Sequence, residues 1–487
     1  MRGVRCMRAV FKKFMDENTV LHRWISYGFT MLLILATAYF TPGQEKLAGN
    51  AGTWVVLFIL FYTLLTRRIL ETLIFANVLG LAMIHGFGFI DGFKEQLFKT
   101  MSGEDFIWIV LLCCSLNVFN KFLNKTGALG AFAGVIKSRV KSEKQLNMAT
   151  WLLQFPLFFD DYMTMAIGGS IMAPMYDEMK VPREEGAYLI HTLAEPLRVL
   201  FPITSWAAFM SGCFISTGIV SESEGMMAFI RSIPFNFYAM ISIVGTFLFA
   251  AGILPKIGGL KKPDPSQYIE FAEAEDVSED KKRGTLWDFF IPILFLVVMF
   301  FYFDFDTVSS MVVVIPVTVG YYLLRGIMGA SDVEECLVSG FSEFMSLIIL
   351  FCASYMLNDV LTGLGYIDYL AETVRQFVNP NLLPVLVFVV FCISECIMSL
   401  NWGLILITFP ILVPVAAAIG ANPYMVAAAI VSAGCFGCNM CYICDYTMLS
   451  SSVFGLKAGY HASTCVPYSI IFAVITAVFY LIAGFIF

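Results

Sequence analysis

The string Ser115-Leu116-Asn117 recurs as Ser399-Leu400-Asn401, and an Asp-Tyr pair follows each copy, as Asp161-Tyr162 and as Asp445-Tyr446. The two asparagines are 284 residues apart, and so are the two aspartates. Because equal spacing means that there is no net insertion between the paired landmarks, the sequence predicts two related halves. Such a duplication inside a membrane chain is typical of secondary transporters with inverted repeats.

The composition indicates a membrane protein. Of 487 residues, 59% are hydrophobic and only 14% are charged. A soluble core cannot bury this much apolar surface, so we expect an all-α polytopic fold with about 10–12 transmembrane segments. The predicted spans are residues 24–40, 54–66, 69–90, 148–174, 188–219, 235–253, 287–303, 308–324, 341–364, 382–398, 421–452 and 465–487. Two interrupted apolar stretches, residues 106–135 and 402–419, are predicted as re-entrant hairpins.

Charge divides the chain into four parts. A basic N-terminal segment (residues 1–23) precedes the first repeat (24–255), and a polar linker (256–286) precedes the second repeat (287–487). The positive-inside rule places the N-terminus and the linker in the cytoplasm, as in a plasma (inner) membrane protein. No small-residue cleavage site is apparent after the basic start, so the first helix is expected to remain as an anchor. We expect the linker to be a solvated spacer.

Two adjacent carboxylates, Asp160 and Asp161, lie inside an apolar stretch. An acid at membrane depth costs several kcal/mol unless it meets a cation, a proton or water, and is by default functional. Adjacent helical residues point about 100° apart, so one aspartate is expected to line a site while its neighbour braces it. The alternative is that both acids are solvated at the membrane surface.

Asp445 occupies the matching place in the second half, close to Gly437. We expect a broken helix there, with Asp161 and Asp445 facing each other near the midplane. Sodium prefers oxygen ligands, and the predicted cation-binding residues all supply them: they are Asp160, Asp161, Asp445, Thr164, Thr447, Asn117, Asn401 and Ser399. For the two asparagines at the predicted hairpin tips, the alternative role is to cap free backbone groups.

A family resemblance follows from these residues. Phe159-Asp160-Asp161-Tyr162, with Ala194, Pro196, Pro202 and Ser205-Trp206, resembles the NhaC-type sodium/proton antiporters. Asn401-Trp402-Gly403, Phe436-Gly437, Asp445 and Thr447-Met448-Leu449 are similar to that family's second conserved region. The resemblance implies an ion-transporter-superfamily fold with inverted repeats, re-entrant hairpins and broken helices.

The chain departs from the family pattern at two places. Cys438 stands where the family usually has an acid, and Cys441, Tyr442 and Cys444 replace nearby Ser or Pro positions. His191, Glu195 and Arg198 replace an Asp and small residues. Spacings of four and three residues place these three on one helix face, where Pro196 could open the helix.

The side chains on this helix face have the chemistry to bind an amino acid or to carry a proton. Arg198 could bind a carboxylate and Glu195 an ammonium group, while His191 could carry a proton. We group Trp206 and Trp402 with these three residues as substrate-binding or proton-relay candidates. The alternative is an internal Glu195–Arg198 ion pair that neutralises itself in the membrane.

The sequence thus predicts a secondary transporter, and the first hypothesis is a Na⁺/H⁺ antiporter in which both ions compete for the same carboxylates. The alternative is Na⁺- or H⁺-coupled transport of an amino acid or small carboxylate. A third hypothesis is a membrane redox or metal protein using Cys435, Cys438, Cys441 and Cys444.

The remaining expectations concern activity and partners. No nucleotide-binding loop is evident, so we expect neither ATP-driven pumping nor an enzyme. We expect no cofactor and no structural metal, with Na⁺ and H⁺ as transported or coupling ions. The expected partners are the lipid bilayer, these two ions and, in the alternative, a small organic solute. A net charge of −7 gives no sign of a nucleic-acid partner, and the sequence leaves a homodimer open.

Overall fold

The computed structural model describes residues 27–40, 51–66, 68–126, 139–158, 164–269, 284–398, 401–442 and 444–487, without the side chains of a few of them, among them Trp402 and Asp445. Within these ranges the chain is helical and contains no strand. The α-helices are α1 (Phe29–Phe40), α2 (Ala51–Thr66), α3 (Ile69–His85), α4 (Phe89–Met101), α5 (Glu104–Lys125), α6 (Glu143–Leu153), α7 (Gly169–Glu178), α8 (Arg183–Arg198), α9 (Ser205–Ser216), α10 (Gly225–Ser232), α11 (Phe237–Ala250), α12 (Leu286–Tyr302), α13 (Thr307–Arg325), α14 (Ala330–Gly363), α15 (Tyr366–Phe377), α16 (Leu383–Met398), α17 (Asn401–Ile419), α18 (Pro423–Met440), α19 (Asp445–Val453) and α20 (Ala458–Ile486).

The long helices confirm a polytopic membrane fold. In the described part of the chain, six helices are long and apolar enough to cross a membrane, or up to eight if each of two bent helix pairs is one span. Five shorter apolar helices accompany them. Large apolar side chains face outward, as Val474 and Ile482 do on α20, at 61% and 55% exposure. Such a surface suits lipid rather than water.

The first predicted hairpin is wrong in its described part. Helix α5 continues from Glu104 to Lys125 without a break, so Asn117 lies inside a helix and not at a hairpin tip. Its Nδ2 donates to the carbonyl of Gly340 in α14 at 2.7 Å. Because the neighbouring helix satisfies this amide, the polar residue requires no interruption of α5. Residues 127–138 lie outside the described part.

The stretch 402–419 is also not a hairpin, because α17 runs through it as one helix. Asn401 is the first residue of α17, directly after the undescribed residues 399–400. The predicted span 188–219, in contrast, is divided into α8 and α9. Between them Thr204 caps α9 by accepting from the Ala207 N–H at 3.2 Å, which fixes the start of a new helix.

The first part of the predicted linker is packed and not a solvated spacer. Leu260 is buried, and Lys256 forms ion pairs with Glu143 and the fully buried Glu185. The Tyr268 hydroxyl donates to Glu184 at 2.8 Å. Burial and this carboxylate raise the pKa of Tyr268 above its ordinary value, so the hydroxyl keeps its proton and remains a donor.

Candidate functional site

Helix α8 runs through the interior and is polar as well as buried. Every residue from Glu184 to Arg198 is buried, and His191, Glu195 and Arg198 are at most 1% exposed. Removing charged groups from water costs several kcal/mol unless other polar groups compensate. Helix α8, whose charged face the sequence predicts, is therefore a buried helix with polar side chains in the interior of the protein.

Pro196 lies in the last turn of α8, which continues to Arg198, so the expectation that Pro196 opens the helix is wrong. Proline has no N–H, and the carbonyl of Thr192, four residues earlier, therefore loses its helical donor. The Nδ2 of Asn439, in α18, donates to this carbonyl at 3.4 Å. Pro196 thus frees an acceptor through which α8 contacts α18.

The first half contains a helix break just before the predicted acidic pair. Helix α6 ends at Leu153, residues 154–158 form turns, and a π-helical turn, Thr164–Gly168, leads into α7. The buried Thr164 donates its hydroxyl to the carbonyl of Leu157 at 2.7 Å, across the break. Asp160 and Asp161 themselves lie outside the described residues.

The second half is broken at the corresponding place. Helix α18 ends at Met440, and Asp445, whose side chain is not described, is the first residue of α19. The Thr447 hydroxyl donates to the carbonyl of Cys441 at 2.6 Å. Thr164 and Thr447 therefore perform the same task, each bonding a carbonyl on the far side of its break. The predicted broken helices are confirmed.

The end of α18 leaves carbonyls without helical donors, and side chains from elsewhere bind them. The carbonyl of Cys438 lies 3.1 Å from His191 Nε2 and 3.5 Å from the Cys444 thiol. The carbonyl of Asn439 accepts from the Ser469 hydroxyl at 3.3 Å. Because a carbonyl can only accept, the proton of a neutral His191 is assigned to Nε2.

A second histidine completes this arrangement. His191 Nδ1 lies 2.8 Å from His461 Nε2, although the two residues are 270 positions apart. The Ser450 hydroxyl lies 2.9 Å from the same His461 nitrogen, and Cys465 Sγ lies 3.8 Å from His191 Nδ1. With His191 Nδ1 accepting from His461 Nε2–H, the pattern is that of two neutral imidazoles.

Two buried acids flank Cys438, the position where the resemblance implies an acid. The Cys438 thiol is in hydrogen-bonding contact with the Glu195 carboxyl group and within electrostatic range of Glu395. Glu395, in α16, is 1% exposed and packs directly against Gly437. Carboxyl groups from two other helices thus approach the place where this chain lacks its own.

One buried oxygen atom beside this region, Asn439 Oδ1, has no hydrogen-bond partner among the described residues. Asn439 joins α18 to Thr192 of α8, and the Thr192 hydroxyl is in hydrogen-bonding contact with the Cys465 thiol. Buried polar atoms are nearly always satisfied, so unsatisfied oxygens require an explanation such as a bound ion or water. Oxygen atoms are also the ligands that a hard cation prefers.

The other predicted residues are placed as follows. Asn117 donates its side-chain hydrogen bond to α14. Trp206 is fully buried in α9, where its ring packs edge-on against that of Phe209, with 5.5 Å between the ring centroids. Ser399 and the side chains of Asn401 and Trp402 fall outside the described part. Their predicted roles in binding stay predictions.

The cysteine run does not assemble as a cluster. Cys435 and Cys438 are inside α18, Cys441 follows its end, and Cys444 precedes α19. Among the described residues, the group whose ligand atoms all lie within 4.8 Å of one another is His191, His461 and Cys465. None of the four cysteines of the run belongs to it, so the redox hypothesis gains no support.

Two functional candidates, Glu395 and His461, escape the sequence-based prediction. Glu395 was detectable, because it is an acid inside the predicted span 382–398, and such acids are functional by default. His461 precedes a predicted span and carries no local signal. Only the contact with His191, made across 270 positions, reveals it.

The chain is similar to known proteins in sequence and in fold. The profile of the Na⁺/H⁺ antiporter family matches residues 197–485. An uncharacterized protein of Haemophilus influenzae is 25% identical over 504 residues, which cover 93% of this chain and 95% of that protein.

Two solved structures share the fold. The YdaH transporter of Alcanivorax borkumensis superposes with a TM-score of 0.57 and 12% identity, over 81% of this chain and 89% of YdaH. MtrF of Neisseria gonorrhoeae superposes with a TM-score of 0.55 and 13% identity, over 92% of this chain and 97% of MtrF. At these identities the likeness shows the fold alone.

Proposed function

Because the chain belongs to the Na⁺/H⁺ antiporter family, we propose that this secondary transporter exchanges sodium ions for protons across the plasma membrane, with its N-terminus in the cytoplasm. The two ions compete for Asp161 and Asp445, and Asp160 braces the first of these. The family match confirms the resemblance to sodium/proton antiporters that the motifs indicated. The fold shared with YdaH and MtrF supports a transporter rather than an enzyme.

One observation carries the proposal most directly: the buried amide oxygen Asn439 Oδ1, in the last turn of α18, has no hydrogen-bond partner among the described residues. Asn439 binds the carbonyl of Thr192, which is one turn before Glu195 on α8, so an amide oxygen, a hydroxyl and a carboxylate lie in one buried region. Sodium is a hard ion for which oxygen ligands are suited. These residues extend the predicted ligand set beyond the aspartates.

The mechanism is competition. A carboxylate that binds either Na⁺ or a proton exchanges one for the other, provided that the empty, doubly charged site does not cross the membrane. The apolar membrane interior supplies this condition, because moving uncompensated carboxylates through an apolar barrier is costly. No further coupling device is needed.

The test is proton flux in proteoliposomes on addition of sodium, without any organic solute. We expect a sodium-dependent signal in the wild type that is lost in Asp161→Asn and in Asp445→Asn. Asp368→Asn is the matched control, because Asp368 is an exposed acid on α15, and it should retain the signal. Silence of the folded wild-type protein would refute sodium/proton exchange.

A second candidate is sodium- or proton-coupled transport of an amino acid or small carboxylate. The buried Arg198 and Glu195 favour it, since both are within electrostatic range of Cys435 and therefore border the same region. An arginine and an acid together match the two charges of an amino acid. The structure of MtrF, which shares this fold, illuminates a class of antimetabolite efflux pumps.

This candidate has its own experiment. Radiolabelled amino acids and small carboxylates are screened for uptake that depends on a sodium or proton gradient. If one is transported, Arg198→Lys should reduce its uptake strongly, because lysine keeps the charge but cannot form the paired hydrogen bonds of a guanidinium group. Uptake that is unaffected by this substitution would exclude Arg198 as the carboxylate-binding residue.

A further inference from the structure

Three side chains from two distant parts of the chain converge in the interior with ligand atoms of the right chemistry for a transition metal. His191 comes from α8, while His461 and Cys465 lie one turn apart on α20. All three side chains are fully buried, at 0% exposure. Their ligand atoms lie within 4.8 Å of one another. We propose that His191, His461 and Cys465, with the hydroxyl of Ser450, bind a borderline transition-metal ion such as Zn²⁺ or Co²⁺.

The distances are close to those of a tetrahedral site. With metal–nitrogen bonds of about 2.0–2.1 Å and metal–sulfur bonds of about 2.3 Å, a tetrahedral ion requires ligand atoms roughly 3.3–3.6 Å apart. The observed separations are 2.8 Å between His191 Nδ1 and His461 Nε2 and 3.8 Å between His191 Nδ1 and Cys465 Sγ, and all three ligand atoms lie within 4.8 Å of one another. Small movements of the side chains therefore suffice to admit the ion.

The hydroxyl of Ser450 lies beside the three ligand atoms, where it can supply the fourth ligand of a tetrahedral ion. Its hydroxyl lies 2.9 Å from His461 Nε2 and 3.4 Å from His191 Nδ1. It also donates to the carbonyl of Tyr446 at 2.7 Å, which leaves the oxygen lone pairs for the ion. The fourth ligand is then the Ser450 oxygen or a small molecule beside it.

The surroundings of His191 already resemble those of a metal ligand. Its Nε2–H points to the carbonyl of Cys438 at 3.1 Å, and ligating histidines generally donate their other N–H to such an acceptor. Its Nδ1 therefore presents a lone pair to the cluster. His461 Nδ1 has no hydrogen-bond partner among the described residues, so it can take the proton that leaves Nε2.

The protons balance in a simple way. Metal binding converts the Cys465 thiol to a thiolate and releases one proton, while the His461 proton moves from Nε2 to Nδ1 without leaving the ring. Two nitrogens and one thiolate suit a borderline ion and are poor ligands for sodium. The site is thus separate in chemistry from the oxygen atoms proposed for the transported cation.

Occupation would join α8, α19 and α20 through one ion. Because α8 also carries Glu195 and Arg198, a bound metal would restrain the helix at the centre of the proposed transport site. The proposal itself concerns binding and does not depend on which solute the protein carries.

The test uses the purified full-length protein in detergent, titrated with Co²⁺ by equilibrium dialysis and absorption spectroscopy. We expect one Co²⁺ per chain, with a thiolate-to-cobalt charge-transfer absorption that Zn²⁺ removes by displacement. Cys465→Ser and Cys465→Ala should lose this absorption, and His461→Gln should weaken binding at least about tenfold. The matched control is Cys213→Ser, at a buried free cysteine outside the group, which should behave as wild type.

Three results would overturn the proposal. The first is folded wild-type protein that shows no cobalt–thiolate absorption. The second is absorption that persists in a folded Cys465 variant. The third is absorption that depends on Cys438 instead, as tested with Cys438→Ser, which would assign the ion to the cysteine run. Elution as a single peak in size-exclusion chromatography establishes that each variant is folded.

Discussion

Gly437 and Glu395 touch in a way that only glycine permits. A Cβ atom built on Gly437 would lie 2.7 Å from the Cβ of Glu395 and 2.8 Å from its Oε2. Real side chains do not approach this closely, so the absence of a side chain at Gly437 is what allows α16 to bring its acid against α18. The glycine of the family's Phe-Gly pair thus has a packing role.

Replacing this glycine should therefore displace the acid. We expect Gly437→Ala to lower the stability by about 1–3 kcal/mol, because overpacking in a dense interior forces neighbouring groups to shift. Thermal unfolding in detergent measures the effect. Gly320→Ala is the control, since a Cβ there meets nothing within 4 Å, and it should leave the stability unchanged or raise it slightly. Equal behaviour of the two variants would contradict the packing role.

Glu395→Gln removes a negative charge while keeping the size of the side chain. If Glu395 supplies the carboxylate that Cys438 lacks, we expect the sodium concentration for half-maximal proton flux to rise at least about tenfold, since one opposite charge near a buried cation is lost. Flux assays at graded sodium concentrations measure this. Glu372→Gln, at an exposed position on α15, should be silent, and an unchanged sodium dependence in Glu395→Gln would remove Glu395 from the site.

The contact between Thr192 and Asn439 allows a double-mutant cycle. Asn439→Ala should destabilise the protein, because it removes the donor to a buried carbonyl that Pro196 has deprived of its helical partner. Pro196→Ala restores that partner. The cost of Asn439→Ala should therefore be about 1 kcal/mol smaller in the Pro196→Ala background than in the wild type. Strict additivity in thermal or denaturant unfolding would show that the two residues do not share this carbonyl.

The packed start of the linker gives a prediction outside the membrane. The carboxylate of Glu184 accepts from Tyr268 at 2.8 Å, from the Tyr460 hydroxyl at 2.9 Å and from the backbone N–H of Asp264 at 3.2 Å. Tyr268→Phe removes one donor to a fully buried acid, so residues 256–269 should become more accessible. Limited proteolysis should cut this segment faster than in the wild type, whereas Tyr369→Phe, at an exposed tyrosine, should not change the rate.

Much of the fold could be predicted from the sequence, because hydropathy and a repeated motif are signals that persist in a single chain. The breaks near Asp161 and Asp445 were predictable from polar and glycine residues at matched positions. The hairpin at Asn117 was not correctly predicted, because the acceptor of its amide is the Gly340 carbonyl, 223 residues away. A polar residue inside an apolar helix signals either a break or a partner, and local sequence cannot distinguish them.

The candidate site, like the fold, could be predicted from the sequence only in part. The polar face of α8 follows from spacing alone, and its burial is confirmed. That His191 meets His461, or that Glu395 lies against Gly437, depends on which helices are neighbours. Pro196 illustrates the intermediate case: its identity indicated an opening of α8, whereas the helix continues and the proline only leaves the carbonyl of Thr192 without its helical donor. Only the packing of α18 against α8 shows that Asn439 binds this carbonyl.

The hydrogen bonds to the carbonyl groups at the end of α18 restrict how this helix can move against its neighbours. These carbonyl groups are bound by His191 of α8 and Ser469 of α20, so α18 cannot slide past either helix without leaving buried acceptors unsatisfied. Elsewhere, α5 and α14 are held together by the Asn117–Gly340 bond and by ion pairs of Lys121 and Lys125. In the exchange proposed above, exposing the site to each membrane face in turn should therefore shift whole groups of helices against each other and not single helices.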